Sequence, residues 1–302
     1  MSTPVVSGGV TIRHRKRRTE PLYYLFLFPT LILLTIAITL PGVVGIFFSI
    51  TNYIGVGEWN FVGFTNYAAL LSDPAIRQAY IFTVGIALAT VIVVNVISFL
   101  LAVGLTSKIK FKVTLRAIFV IPMVISGIIV AFIFKFIFAN TVPSIAGALG
   151  ITSLELSILE NPSLAWIAIV IVTAWQSIPS TLLIYIAGIL SIPGDVYEAA
   201  DIDGASIWQK IRYIDLPTLV PTAMMVFILD CGKLLSSNTN KVLVLQTSGN
   251  IPTSDILGVY VYTVGLGSGQ FSYTSAIGLF VNVINFVMII LVNTISKKTA
   301  DV

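Results

Sequence analysis

Glu198–Pro217 reads EAADIDGASIWQKIRYIDLP, with Glu198, Asp201, Asp203, Lys210, Arg212 and Asp215 packed into one short block. Charged residues make up only 10% of this 302-residue chain, and the residues before the block, Ser163–Ile192, include no Lys, Arg, Asp or Glu. Leu22–Ile50, Ala79–Ser107 and Ser272–Ser296 are equally free of charge. Each run exceeds the roughly 20 residues an α-helix needs to cross hydrocarbon. An apolar share of 57% is more than one buried core absorbs, since soluble domains run at about 45–50%. The chain reads as an integral membrane protein that keeps one compact charged block between two spans.

The block has its own local grammar. Pro193-Gly194-Asp195 ends one helix and opens another, with Asp195 as N-cap and Glu198 as its reciprocal capping-box partner. That helix should stop near Asp203-Gly204, where glycine permits a left-handed turn. Asp203 then caps a second helix whose Ile207, Trp208, Ile211 and Ile214 share one apolar face, away from Gln209, Lys210 and Arg212. Leu216-Pro217 closes it. Two capped helices joined by a glycine make a rigid element, able to push or be pushed by a partner. The spacing fits equally an interfacial helix whose apolar face lies in the headgroups.

Six spans follow from the apolar runs, at about 22–50, 79–106, 114–138, 163–190, 218–236 and 273–295, the fifth interrupted by Asp230 and Lys233. Lys and Arg favour cytoplasmic loops. Arg13, Arg15, Lys16, Arg17 and Arg18 precede the first span, and Lys108, Lys110, Lys112 and Arg116 join the second to the third. Lys210 and Arg212 lie in the block, Lys297 and Lys298 in the tail, and only Arg77 and Lys241 fall on the opposite side. Both termini and the block are therefore expected inside, and the basic N-terminal run reads as topogenic charge rather than a nucleic-acid patch. The first apolar run is about twice a signal-peptide core and reads as an anchor. Loops 51–78 and 237–272 are expected outside, with room for short interfacial helices.

Several chemistries find no support. Cys231 is the only cysteine, so no intrachain disulfide forms, and the only histidine, His14, lies in the basic tail. There is no H-E-x-x-H, no paired midplane aspartates and no nucleophile with a histidine partner, so no enzyme and no metal site are expected. Gly265-Leu266-Gly267-Ser268-Gly269 lacks phosphate-loop spacing and its following lysine, so ATP hydrolysis belongs to another polypeptide. A secondary transporter usually carries inverted repeats or a midplane ionisable relay, and neither is visible.

Glu198-Ala199-Ala200, three residues, Gly204, nine residues, Ile214, one residue, Leu216-Pro217 resembles the EAA loop of binding-protein-dependent ABC importer permeases. Pro21–Tyr53 resembles the first span, Phe61–Pro74 the first external loop and Arg116–Phe138 the third span of the MalF/UgpA-type, sugar-importing branch. The resemblance implies an all-α integral membrane protein with six transmembrane helices, the type I ABC importer permease fold and both termini cytoplasmic. It implies a basic cytoplasmic tail at 1–21, a first helix and external loop at 22–78, a permease core at 79–296 holding the EAA loop at 192–217, and a cytoplasmic tail at 297–302. Glu198, Ala199, Ala200, Gly204, Ile214, Leu216 and Pro217 would then form the coupling element that docks on a cytoplasmic ATPase. The implied partners are a second related permease, two ATPase subunits using ATP and Mg, and an external solute-binding protein. The implied cargo is a carbohydrate, an oligosaccharide by preference, with glycerol-phosphate or another polyol-like solute as the alternative.

Polar groups inside a bilayer are costly and mark candidate pathways. Asn95, Gln176, Tyr185, Asp230, Lys233, Asn282 and Asn285 fall within the spans and suit sugar hydroxyls and ring faces. The same residues suit plain interhelical hydrogen bonding. Asp230 and Lys233 are spaced to neutralise each other, and Lys135 is expected to snorkel to the outer interface.

Overall fold

In hydrocarbon every backbone N–H and C=O needs an internal partner, so apolar runs of this length fold as helices. The computed structural model describes residues 21–300, apart from 108 and 155, and omits the side chains of residues 21–23, 153, 231–237, 252, 288, 291–293 and 295–300. The basic N-terminal tail, the Lys108, Lys297 and Lys298 charges and the Lys233 side chain lie outside the described residues.

The chain divides into two units, 1–47 and 48–302. In the first, α1 (Pro21–Leu34) runs through a π-helical turn (Thr35–Thr39) into α2 (Leu40–Ser49). Tyr24–Ser49 is long and apolar enough to cross a membrane, with its most apolar window wholly exposed.

The second unit begins with a loop pinned by Asn66, whose Nδ2 donates to the carbonyls of Ser49 and Thr51. A lone antiparallel bridge, Thr51 to Phe61, leads to α3 (Thr65–Ser72). Then come α4 (Pro74–Thr106), α5 (Lys112–Val124), α6 (Gly127–Phe136), α7 (Val142–Leu149) and α8 (Ala165–Leu190). The charged block follows as α9 (Gly194–Ile202) and α10 (Ile207–Lys210), succeeded by α11 (Leu216–Ser237). Three short helices, α12 (Thr239–Leu245), α13 (Ile251–Ser254) and α14 (Leu257–Tyr262), precede α15 (Phe271–Ala300).

Five helices among the described residues are long and apolar enough to span: Tyr24–Ser49, Pro74–Thr106, Gly127–Leu149, Ala165–Leu190 and Ile207–Asp230. The described apolar part of α15 is Phe271–Val287. α4 and α8 pack along their lengths to form the spine. One apolar cluster gathers Val130, Ile169, Val172, Val242 and Leu245, and another Ala102, Leu182, Tyr185, Ile189 and Leu219. Near the second, a Cβ on Gly188 would stand 2.5 Å from Leu219 Cδ2, so α8 and α11 meet closely enough that a side chain there would displace the end of Leu219.

Three expectations about the spans are corrected. The third, expected as one helix over 114–138, is broken: Ile125 and Ser126 are extended between α5 and α6, and the helical path continues outward to Leu149. Pro122, which cannot donate a backbone N–H, lies just before the break. The fifth, expected over 218–236, starts earlier, because α10 passes through a π turn (Ile211–Asp215) straight into α11, so Leu216-Pro217 does not close the second helix. Three π turns, Thr35–Thr39, Ile137–Thr141 and Ile211–Asp215, end two residues before Pro41, Pro143 and Pro217. The wider turn relieves the clash between a proline ring and the carbonyl four residues back.

Third, the segment 237–272 is not simply an external loop. α12 packs against α6, and a Cβ on Gly127 would lie 3.3 Å from Gln176 Oε1 and 3.5 Å from Lys241 Cγ. Gln176 is close to the midpoint of α8, about 16 Å along the helix from its outer end. Lys241 therefore lies level with the middle of α8 rather than beyond its end. α12 runs outward from there, until the Thr247 hydroxyl donates to the Leu159 carbonyl at 3.2 Å. Asn250, fully buried, closes the following turn by accepting from Thr247 N and donating to the Leu245 carbonyl. Lys135, expected to snorkel, instead donates to the carbonyls of Val244 (2.6 Å) and Gln246 (3.3 Å), satisfying the end of α12.

Candidate functional site

The block Glu198–Pro217 is a helix–turn–helix, as its glycine predicted, but its caps differ from the expected ones. α9 starts at Gly194 with Pro193 as N-cap, so Asp195 lies in the first turn and makes no side-chain cap. Gly204 takes φ +72°, and the bonds Gly204 N to Asp201 O and Ala205 N to Ala200 O terminate α9. The turn extends through Ala205, so Ser206 rather than Asp203 caps the next helix. Ser206 N donates to Gln209 Oε1 at 2.7 Å, and Gln209 N donates back to Ser206 Oγ at 3.4 Å, a reciprocal box.

Two polar links, which the sequence reading missed, brace the element. Lys210 pairs with Asp201 across the turn. The Tyr197 hydroxyl donates to Asp215, whose side chain is buried at 5% exposure, joining α9 to the base of the fifth span. Burial and then the neighbouring Asp215 carboxylate push the Tyr197 hydroxyl's pKa upward, so it stays a donor at any physiological pH. The available signal was a lone acidic residue directly before Leu216-Pro217. A cavity of about 520 Å³ lies behind these links, lined by Val103, Thr106, Ile192, Tyr197, Lys210 and Asp215 among others.

The outward face carries the motif. Glu198 and Ala199 are exposed, Ala200 and Ile214 half-buried, Leu216 and Pro217 exposed, and Gly204 has open space where a Cβ would stand. Around them Ile202 is 87% exposed and Trp208 73%. The expected apolar face splits: Ile211 and Ile214 turn partly inward, while Ile207 and Trp208 stand out.

The described polar candidates on α4, α8 and α11 are held by hydrogen bonds within the chain. Tyr185 OH donates to Asn95 Oδ1 at 2.7 Å, and Asn95 Nδ2 donates to its own helix at the Val91 carbonyl. Both line a cavity of about 200 Å³ with Phe99, Leu216, Leu219 and Ala223. Asp230, 8% exposed, accepts from Thr181 at 3.2 Å. Gln176 Nε2 donates 2.8 Å to the Ile125 carbonyl, which the break in the third span leaves outside a helix. Asn282 is exposed and Asn285 half-buried on α15.

At the start of α4, Asp73 Oδ1 caps the helix by accepting from Ala75 N at 2.9 Å. Its Oδ2 accepts from Tyr260 OH (2.8 Å) and Tyr273 OH (2.9 Å), tying α4, α14 and α15 together. Partial burial works to raise the Asp73 pKa, but the two tyrosine hydroxyls and the amides of Ala75 and Ile76 outweigh it and hold it below 3.8.

Comparison with known proteins agrees with this arrangement. Residues 94–301 match the family described as "binding-protein-dependent transport system inner membrane component". The multiple sugar-binding transport system permease protein MsmF of Streptococcus mutans is 35% identical over 274 residues, covering 90% of this chain and 94% of the relative. The probable starch degradation products transport system permease protein AmyD of Thermoanaerobacterium thermosulfurigenes is 32% identical, covering 90% and 91%. A crystal structure of a bacterial ABC transporter that imports the acidic polysaccharide alginate has a chain sharing the fold, with a TM-score of 0.81 at 23% identity over 92% of this chain and 95% of that one. With the coverage of the family match and the two relatives, this chain belongs to the binding-protein-dependent transport system inner membrane components, the permeases of ABC importers.

Proposed function

We propose that this chain is one permease subunit of an ATP-driven oligosaccharide importer in the cytoplasmic membrane of a prokaryote, with six spans and both termini inside. The carbohydrate reading draws on the names of its relatives, a multiple-sugar permease and a starch-product permease. A second related permease, two ATPase subunits and an external solute-binding protein complete the machine; a solved transporter of this fold has been captured with its substrate-bound periplasmic protein. The ATPase partners bind and hydrolyse ATP with Mg, and this chain binds neither.

The observation that carries the proposal is the outward presentation of Glu198, Ala199, Ile202 and Trp208 on an element braced to the fifth span through Tyr197 and Asp215. A soluble face with Ile202 and Trp208 this bare needs a protein to cover it. A braced element transmits the partner's motion, where a slack loop would absorb it. ATP-driven closure of the ATPase pair moves the block, the block moves α11, and the population shifts between inward- and outward-open packings. The test is co-purification from the native membrane in mild detergent. Wild type should bring down an ATPase and a second permease, and Gly204→Leu with Trp208→Ala should lose the ATPase while keeping the second permease. Recovery of the chain alone, with solute movement that needs no ATP, would refute the proposal.

A further inference from the structure

We propose that Lys241 reads the charge of the transported solute, and that the solute is an acidic oligosaccharide carrying a carboxylate. The inference rests on the importer reading above and adds the substrate's charge to it. Its basis is the position of one cation. Lys241, at the start of α12, lies with its stem against Gly127 beside the Gln176 amide, level with the midpoint of α8. Among the described residues it has neither an ion pair nor a hydrogen bond. Two other cations of the helices are engaged: Lys135 donates to the carbonyls of Val244 and Gln246, and Arg116 to that of Leu105.

A cation at mid-depth is expensive and is kept where something of opposite charge meets it. Its surroundings suit an oligosaccharide. The third span is broken at Ile125–Ser126, so helix backbone gives way to polar groups there, and Gln176 Oε1 lies on the same face of Gly127 as Lys241. An amide beside the stem of a lysine offers a hydroxyl acceptor within a side chain's reach of a carboxylate donor. One lysine balances the single charge of a carboxylate. A phosphate monoester, near −2 at neutral pH, would be left with about one charge unanswered.

The test uses the whole transporter, purified from its native membrane with its binding protein and reconstituted in proteoliposomes. Oligogalacturonates and glucuronate-substituted xylo-oligosaccharides are compared with their carboxyl-reduced counterparts and with glycerol phosphate, first for binding to the solute-binding protein and then for ATP-dependent uptake. An acidic member is expected to bind best and enter at least ten times faster than its reduced form. Lys241→Gln should bring those two rates together while the complex still assembles, and Lys241→Arg should restore most of the difference. The proposal falls if no acidic member outperforms its reduced form, if glycerol phosphate is the best substrate, or if Lys241→Gln leaves the preference intact. It also falls if Lys241→Gln loses the second permease, since the lysine is then an interface ion pair. In each of those cases uptake that still requires ATP and the binding protein leaves the importer reading standing. Uptake independent of both would overturn that reading itself.

Discussion

Asp215 and Tyr197 carry the mechanical argument at the scale of single residues. A hydrogen bond to a buried carboxylate contributes about 1.5–3 kcal/mol, and this one joins α9 to the turn that leads into α11. Tyr197→Phe leaves the Asp215 carboxylate buried without that donor, so the bond is lost while the volume is kept. The expected result is uncoupling: ATP hydrolysis by the assembled transporter changes less than two-fold, while solute moved per ATP drops several-fold. Simultaneous measurement of both rates in proteoliposomes decides it. At Gly188 the chemistry is steric. A side chain there meets Leu219 Cδ2 at 2.5 Å, so Gly188→Val should cost about 1–3 kcal/mol by overpacking, read as a lower thermal midpoint in detergent, and Gly188→Val with Leu219→Ala should recover part of it.

Among elements, legibility followed the strength of the local signal. The Gly204 turn was readable because a glycine between two helical patterns has few other uses, and its φ of +72° bears that out. The caps were not. Asp195 and Asp203 are good capping residues by type, yet Pro193 and Ser206 hold the positions, because the backbone leaves the left-handed turn one residue later than a minimal loop would. The break at Ile125–Ser126 escaped notice since its residues are as apolar as a continuous span, and the clue, Pro122, is tolerated inside many membrane helices. The place of Lys241 was hidden for the same reason: hydropathy reports whether a segment can cross, and α12 is too short to cross although it packs along α6. Of the seven pathway candidates, the structure brings Asn95 and Tyr185 together, a pairing that needs the packing of α4 on α8 and could not be read from spacing.

For the whole molecule, the external end should be insensitive to pH until strongly acid conditions. The folded Asp73 carboxylate titrates below its unfolded value of 3.8, so its contribution to stability is fully present above 3.8 and is lost as pH falls through the lower folded value. Thermal midpoints of wild type and Asp73→Asn should therefore differ by a constant amount from pH 5 to 8 and converge below 3.8, as followed by tryptophan fluorescence in detergent. A difference that shrinks near neutrality would mean that the Tyr260 and Tyr273 hydroxyls do not hold the charged form.

Two extended residues in the third span set how far a disturbance travels. Backbone hydrogen bonds make an unbroken helix a stiff rod, and a rod turns at both ends together. At Ile125 and Ser126 that continuity stops, and the Gln176 amide reaching the Ile125 carbonyl is a side-chain link across the gap. α5 is packed on α4 and α8, whereas α6 is packed on α12 and α8. One half can then tilt while the other keeps its seal, as the two leaves of an airlock demand, and a single glutamine ties the joint between them to α8.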